Sequence, residues 1–147
     1  MAVEARTSGL TFFLDRGLGS RIVPNTLREA GWVLETMDER YGKDESQRIA
    51  DTQWIEEATI RGDILLCKDL AITHNLVEAR VIYMSGARIF ALAKADVVGR
   101  EMADLFLGNE FRIINAVRRV TEPFVFAVSH NGLRRTRVRY PVTGTDL

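Results

Sequence analysis

The residues of this chain best suited to chemistry are acids placed directly after apolar runs. Asp15 closes Thr11-Phe12-Phe13-Leu14 and is followed by Arg16-Gly17-Leu18-Gly19-Ser20, and Asp69 closes Ile64-Leu65-Leu66-Cys67-Lys68. A short apolar run that ends in an acid and a turn reads as a buried strand entering a tight loop. In an open parallel sheet the carboxyl ends of the strands line the crevice where ligands bind. Asp38, in Asp38-Glu39-Arg40 after a second apolar run, and Asp51, ahead of Trp54, Ile55 and Ala58, extend the set. Carboxylates gathered at one rim repel one another and resist ionisation unless a positive charge neutralises them. Mg²⁺ or Mn²⁺ does so with hard oxygen ligands and needs neither His nor Cys. Such a site activates water and stabilises charge on a phosphoryl group, the core of metal-dependent phosphodiester cleavage.

Each acid also has a plainer reading. Asp15 suits a turn cap, Asp69 a local turn or ion pair with Lys68, Asp51 a helix N-cap, and Asp38 a solvated charge run. Asp96 matches the rim by position after a fourth apolar run. His74 and His130 are too far apart for a familiar ligand spacing, and no histidine stands beside a nucleophile, which leaves a Ser-His or Cys-His hydrolase without support. Cys67 lies in an apolar run and reads as inert. Gly17-Leu18-Gly19-Ser20 lacks the spacing and the Lys-Ser/Thr ending of a phosphate loop. Trp54 reads as core.

The elements that would position these residues follow from periodicity and punctuation. Phe12 to Leu14 form a first strand. A helix runs from about Ile22, with Ser20 as its N-cap, to Gly31, and Trp32 to Met37 form a second strand. Residues 41–50 are polar and read as a flexible excursion over the mouth of the sheet, a candidate substrate loop. A helix from Asp51 to Gly62, a strand at Ile64 to Cys67, a helix capped by Asn75 and a strand at Ala87 to Ala93 come next. The longest helical pattern, Gly99 to Val120, carries a break signal at Gly108-Asn109. Phe124 to Val128 form a fifth strand, Asn131-Gly132 marks a hairpin turn, and Leu133 to Tyr140 return as an Arg-rich edge strand. This alternation predicts an α/β protein: a three-layer α/β/α sandwich with a central, mainly parallel sheet. Residues 1–10 read as a flexible leader, 11–140 as the domain and 141–147 as a tail.

A chain of 147 residues, 46% hydrophobic and 27% charged, is one domain's worth and large enough to build its core without disulfides. The lone Cys67 suits a reducing compartment, no run approaches the length of a membrane span, and the N-terminus lacks a signal-peptide pattern. The expected location is cytoplasmic. Net charge is zero, but residues 1–98 carry 12 basic against 15 acidic groups and residues 99–147 carry eight, all Arg, against five. Arg118, Arg119, Arg134, Arg135, Arg137 and Arg139 permit a polyanion partner, although arginines on a helix and an edge strand are also ordinary solvated surface.

Taken together, Phe12-Phe13-Leu14-Asp15-Arg16-Gly17-Leu18-Gly19, Gly31-Trp32, Met37-Asp38-Glu39-Arg40-Tyr41-Gly42, Asp51-Thr52-Gln53-Trp54-Ile55 and Ile64 to Ile72 resemble the PIN-like domains of the VapC toxin group. The resemblance covers residues 11–140. It implies an endoribonuclease of a toxin–antitoxin module with an acidic cluster that binds Mg²⁺ or Mn²⁺: Asp15, Asp51 and Asp69 as metal and catalytic residues, with Asp38 as a fourth catalytic member. It implies an RNA substrate, a cognate antitoxin protein and self-association. Arg16 and Lys68 would steady the scissile phosphate, and Arg134, Arg135 and Arg137 would track the RNA backbone. The family's further acids have Glu78 and Asp96 as candidates here, neither in a clear motif. Two alternatives share the same sheet: a non-catalytic PIN-like interaction module with an incomplete site, and a response-regulator-like phosphoacceptor, whose usual Lys after the last strand has no counterpart.

Overall fold

The structure, a computed structural model, describes residues 9–138. The leader up to Ser8 and the residues from Arg139 onward, including the expected tail, lie outside the described residues. β1 (Thr11–Leu14) leads through a 3-10 turn (Arg16–Leu18) to α1 (Ile22–Glu29) and β2 (Val33–Thr36). Then come α2 (Met37–Tyr41), α3 (Lys43–Arg48), α4 (Asp51–Ile60), β3 (Ile64–Cys67), a second 3-10 turn (Leu70–Thr73), α5 (Leu76–Ser85) and β4 (Arg88–Leu92). α6 (Arg100–Gly108), α7 (Glu110–Arg119), β5 (Phe124–Ser129) and β6 (Gly132–Thr136) complete the order. No described helix is long and apolar enough to cross a membrane.

The six strands lie in the order β2-β1-β3-β4-β5-β6, parallel from β2 through β5, with β6 antiparallel on β5. Period-two alternation divides the core into two halves. Phe12, Leu14, Ile64, Leu66, Phe90, Leu92, Phe124 and Val128 pack with α1, α6 and α7 on one face. Phe13, Leu65, Cys67, Ile89, Ala91 and Val125 pack with α4 and α5 on the other, joined by Met37 of α2. Both faces being covered explains why the strands read as near-continuous apolar runs. Stacking of Phe12 on Trp32 (4.6 Å between centroids) anchors β2 to β1 on the first face. On the second, Phe13 meets Trp54 and Tyr41 and lies under the Arg40 guanidinium.

The three-layer expectation holds, with three local corrections. Residues 41–50 are not a flexible excursion: α2 and α3 occupy 37–48, and β2 ends at Thr36. Thr36 Oγ1 accepts from Glu39 N and Glu39 Oε1 accepts from Thr36 N, a complete capping box of the kind that starts a helix even in polar sequence. Ser46, fully buried, donates to Asp38 and so pins α3 on α2. The first helix begins after Arg21, because the glycines after Asp15 form a 3-10 turn instead of leading straight from a Ser20 cap. The hairpin loop is His130-Asn131 rather than Asn131-Gly132: Gly132 pairs with Ser129 at φ 119°, where only glycine is unstrained. The break at Gly108-Asn109 is present, and buried Asn109 ties Leu105 O to Ser129 O across it.

Candidate active site

In this sheet the chain moves from β1 outward to β2 and then returns past β1 to β3. The switch point therefore lies between β1 and β3, where an open sheet leaves a crevice at its carboxyl end. Asp15 and Asp69 stand on those two strand ends. Asp15 follows Phe13 by two residues and Asp69 follows Cys67 by two, so both continue the rows that face α4 and α5. α5 starts at the carboxyl rim after the exit of β3, α4 starts there after α2 and α3, which follow the end of β2, and their first turns carry Asp51 and Glu78. The positive ends of the helix dipoles point at the same rim and ease the presence of negative charge there.

The backbone holds Asp15 firmly. Its amide donates to Leu66 O at 2.9 Å, extending the β1–β3 ladder. Its carboxylate accepts from Gly17 N at 3.2 Å and from Lys68 N at 3.3 Å. Gly17 is needed for this closeness: a Cβ there would lie 3.0 Å from Lys68 Cβ and 3.3 Å from Asp15 Oδ2. Burial raises the Asp15 pKa; the two backbone donors oppose the rise and the Asp51 charge adds to it. The turn-cap reading of Asp15 is thus realised, and the capping carboxylate stands at the carboxyl end of β1.

Asp51 is the first residue of α4, not its N-cap, which is Ala50. Its Oδ1 accepts from Arg16 Nη1 at 3.0 Å and from the indole of fully buried Trp54 at 2.8 Å. Trp54 is therefore core, as expected, and also orients an acid. Glu78, which no motif marks in the sequence, belongs to the same group. Burial, the Asp51 charge, a hydrogen bond shared with Asp51 and the Asp15 charge raise its pKa to about 7. The usable signal is positional: Glu78 lies in the first turn of the helix that follows β3, capped by Asn75.

Asp69 caps the second 3-10 turn, accepting from Ala71 N at 2.8 Å. It still belongs to the neighbourhood, because burial and the charges of Asp15, Asp51, Asp69 and Glu78 together push the Cys67 thiol well up. That buried thiol is correspondingly inert. Asp38 sits on α2, bonded to Ser46, and lines a small cavity of about 100 Å³ with Arg16, Gly19, Ser20, Met37 and Gln47. Asp96 is exposed in the turn after β4 and is not among the groups that shift Asp15 or Glu78. Arg16 spans three acceptors: Ser46 O at 2.8 Å, Ile49 O at 2.7 Å and Asp51. Arg134 and Arg135 lie on β6, four strand positions from β1 and hence about 19 Å away, with Arg137 just beyond the strand's end.

Carboxylate oxygens are the donors that Mg²⁺ or Mn²⁺ takes, and the mutual repulsion of Asp15, Asp51 and Glu78 is what such an ion relieves. In donor chemistry the residues fit. Among the described residues, however, no three acidic, His or Cys groups stand close enough to form a preassembled metal cage.

A doubly wound sheet with an acid-lined crevice at its β1/β3 switch point places this molecule among small α/β/α domains with a carboxylate site. The chain belongs to the PIN-like domain family, of VapC type: the family model described as "PIN like domain" matches residues 10–94. It is 37% identical over 116 residues to "Putative ribonuclease VapC45" of Mycobacterium tuberculosis (strain ATCC 25618 / H37Rv), a match covering 79% of this chain and 83% of that protein. No solved structure matches at a significant level.

Proposed function

We propose that this protein is a metal-dependent endoribonuclease acting as the toxin of a toxin–antitoxin module. The observation that carries the reading is that Asp15, Asp51 and Glu78 lie at the switch point within electrostatic reach of one another, the charges of the first two helping to raise Glu78 to about 7. The similarity to "Putative ribonuclease VapC45" supports the same chemistry. Asp15 and Asp51, joined by Glu78 and by Asp69 once its turn contact yields, would hold Mg²⁺ or Mn²⁺. When bound, that ion supplies a lowered water pKa and neutralisation of charge on the phosphoryl group. Asp15 is pre-oriented by its two backbone donors. Lys68, whose backbone amide donates to Asp15, would bring a cation to the scissile phosphate, and Asp38 would act from α2. Arg134, Arg135 and Arg137 would contact phosphates remote from the cut, which adds affinity without sequence selectivity. A cognate antitoxin that covers the acidic rim, self-association and a cytoplasmic location complete the proposal.

Asp15→Asn is expected to abolish RNA cleavage and the rise in melting temperature given by Mn²⁺ while leaving the circular dichroism spectrum unchanged. Cleavage that persists at the wild-type rate in this variant removes the mechanism. The open spacing of the acids favours a second reading, a non-catalytic PIN-like interaction module; wild-type protein that neither cleaves RNA nor gains stability from Mn²⁺ would establish it.

A further inference from the structure

Arg16 is a cation built into the acidic rim, and its contacts suit a task other than phosphate binding. Ser46 lies in α3 and Ile49 just after it, so Ser46 O and Ile49 O include the carbonyls that a helix end leaves without intrahelical partners. Arg16 Nε donates to the first, Nη2 to the second and Nη1 to Asp51, engaging three of a guanidinium's five N–H donors. The arginine itself is fixed at the end of β1, next to Asp15. One side chain thus sets the distance between the strand that carries Asp15 and the linker that delivers Asp51.

We propose that Arg16 is a positioning residue for the cation site: its fork locks the α3–α4 linker so that the Asp51 carboxylate faces Asp15 and Glu78. The assignment rests on the nuclease reading in that Asp51 serves a bound cation. It requires the planar fork, because an ammonium is a point donor that cannot hold two carbonyls and a carboxylate in fixed directions. A phosphate-binding arginine would instead present free donors to solvent, whereas this side chain is only 27% exposed and directed into the protein.

The test compares Arg16→Gln and Arg16→Lys with the wild type by three measurements. These are Mn²⁺ affinity by calorimetry, affinity for a labelled single-stranded RNA in EDTA by anisotropy, and hydrogen exchange of the amides at 49–53. Both variants are expected to bind Mn²⁺ about tenfold more weakly and to exchange faster at 49–53, with RNA affinity in EDTA unchanged. Arg16→Lys keeps the positive charge and most of the stem, so it reports even if the Gln variant folds poorly. Weakened RNA binding with unchanged Mn²⁺ affinity and unchanged exchange would overturn the proposal in favour of phosphate contact. Full recovery of Mn²⁺ affinity by Lys would overturn the fork argument. If the wild type binds no Mn²⁺, the nuclease reading fails separately, and the exchange data still decide the clamp: faster exchange supports it and unchanged exchange refutes it.

Discussion

Glu78 has its carboxyl pushed up to about 7 by burial and by the charges of Asp51 and Asp15, and the consequence for stability has a definite sign. The native state binds a proton that the unfolded chain releases near the ordinary glutamate value of 4.5. Stability from this group is therefore fully present below about pH 4.5 and is lost as pH rises through about 7. Glu78→Gln is expected to flatten that part of the melting-temperature profile in metal-free buffer. A bound cation competes with the same proton, so Mn²⁺ affinity of the wild type should increase as pH rises through about 7, and more steeply than in the Gln variant. Calorimetry at several pH values measures this directly; identical profiles would mean that Glu78 does not face the ion. Residues of this kind are only partly legible in sequence. Asp15, Asp51 and Asp69 announce themselves by following a strand or opening a helix, whereas Glu78 lies in an ordinary helical turn and gains meaning only from its neighbours.

Elements depend on contacts that single side chains make across breaks. The α6–α7 junction is held by buried Asn109, which donates to Leu105 O at 2.8 Å and to Ser129 O at 3.0 Å and so joins the helices to the hairpin. Asn109→Ala leaves both carbonyls short of a donor in a buried place. It should lower stability by about 1–3 kcal/mol, measured by urea unfolding. The junction packs in the layer of α1, α6 and α7, whereas Asp15, Asp51 and Glu78 lie toward α4 and α5, so RNA cleavage at a permissive temperature should be unaffected. The break itself is visible in the sequence, but not the side chain that bridges it. The stretch 37–48 shows the reverse. Thr36-Met37-Asp38-Glu39 contains a helix-start signature, yet polarity and Gly42 suggest a loop; buried Ser46 and the Arg16 clamp turn it into two ordered helices.

At the scale of the whole molecule, the arginines of β6 and the acids of the crevice are separated by most of the sheet's width. If RNA spans both, replacing Arg134, Arg135 and Arg137 by Ala should weaken binding and make it less salt-dependent, by roughly 0.7 in the log–log slope for each phosphate left unneutralised. The cleavage rate at saturating RNA should stay near the wild-type value. An unchanged salt slope would confine the RNA to the crevice. The layered architecture itself is readable from the chain alone, because short apolar runs alternating with amphipathic stretches have few packings other than a covered parallel sheet. Strand identity, the two strand-end acids and the helix break at Gly108-Asn109 are local properties, and local sequence determined them. Strand order, the burial that turns Asp15 and Glu78 into poor acids, and the choice of Arg16's partners were decided by tertiary structure. Each depends on residues remote along the chain meeting in space, and neither periodicity nor propensity encodes which distant groups will share one rim.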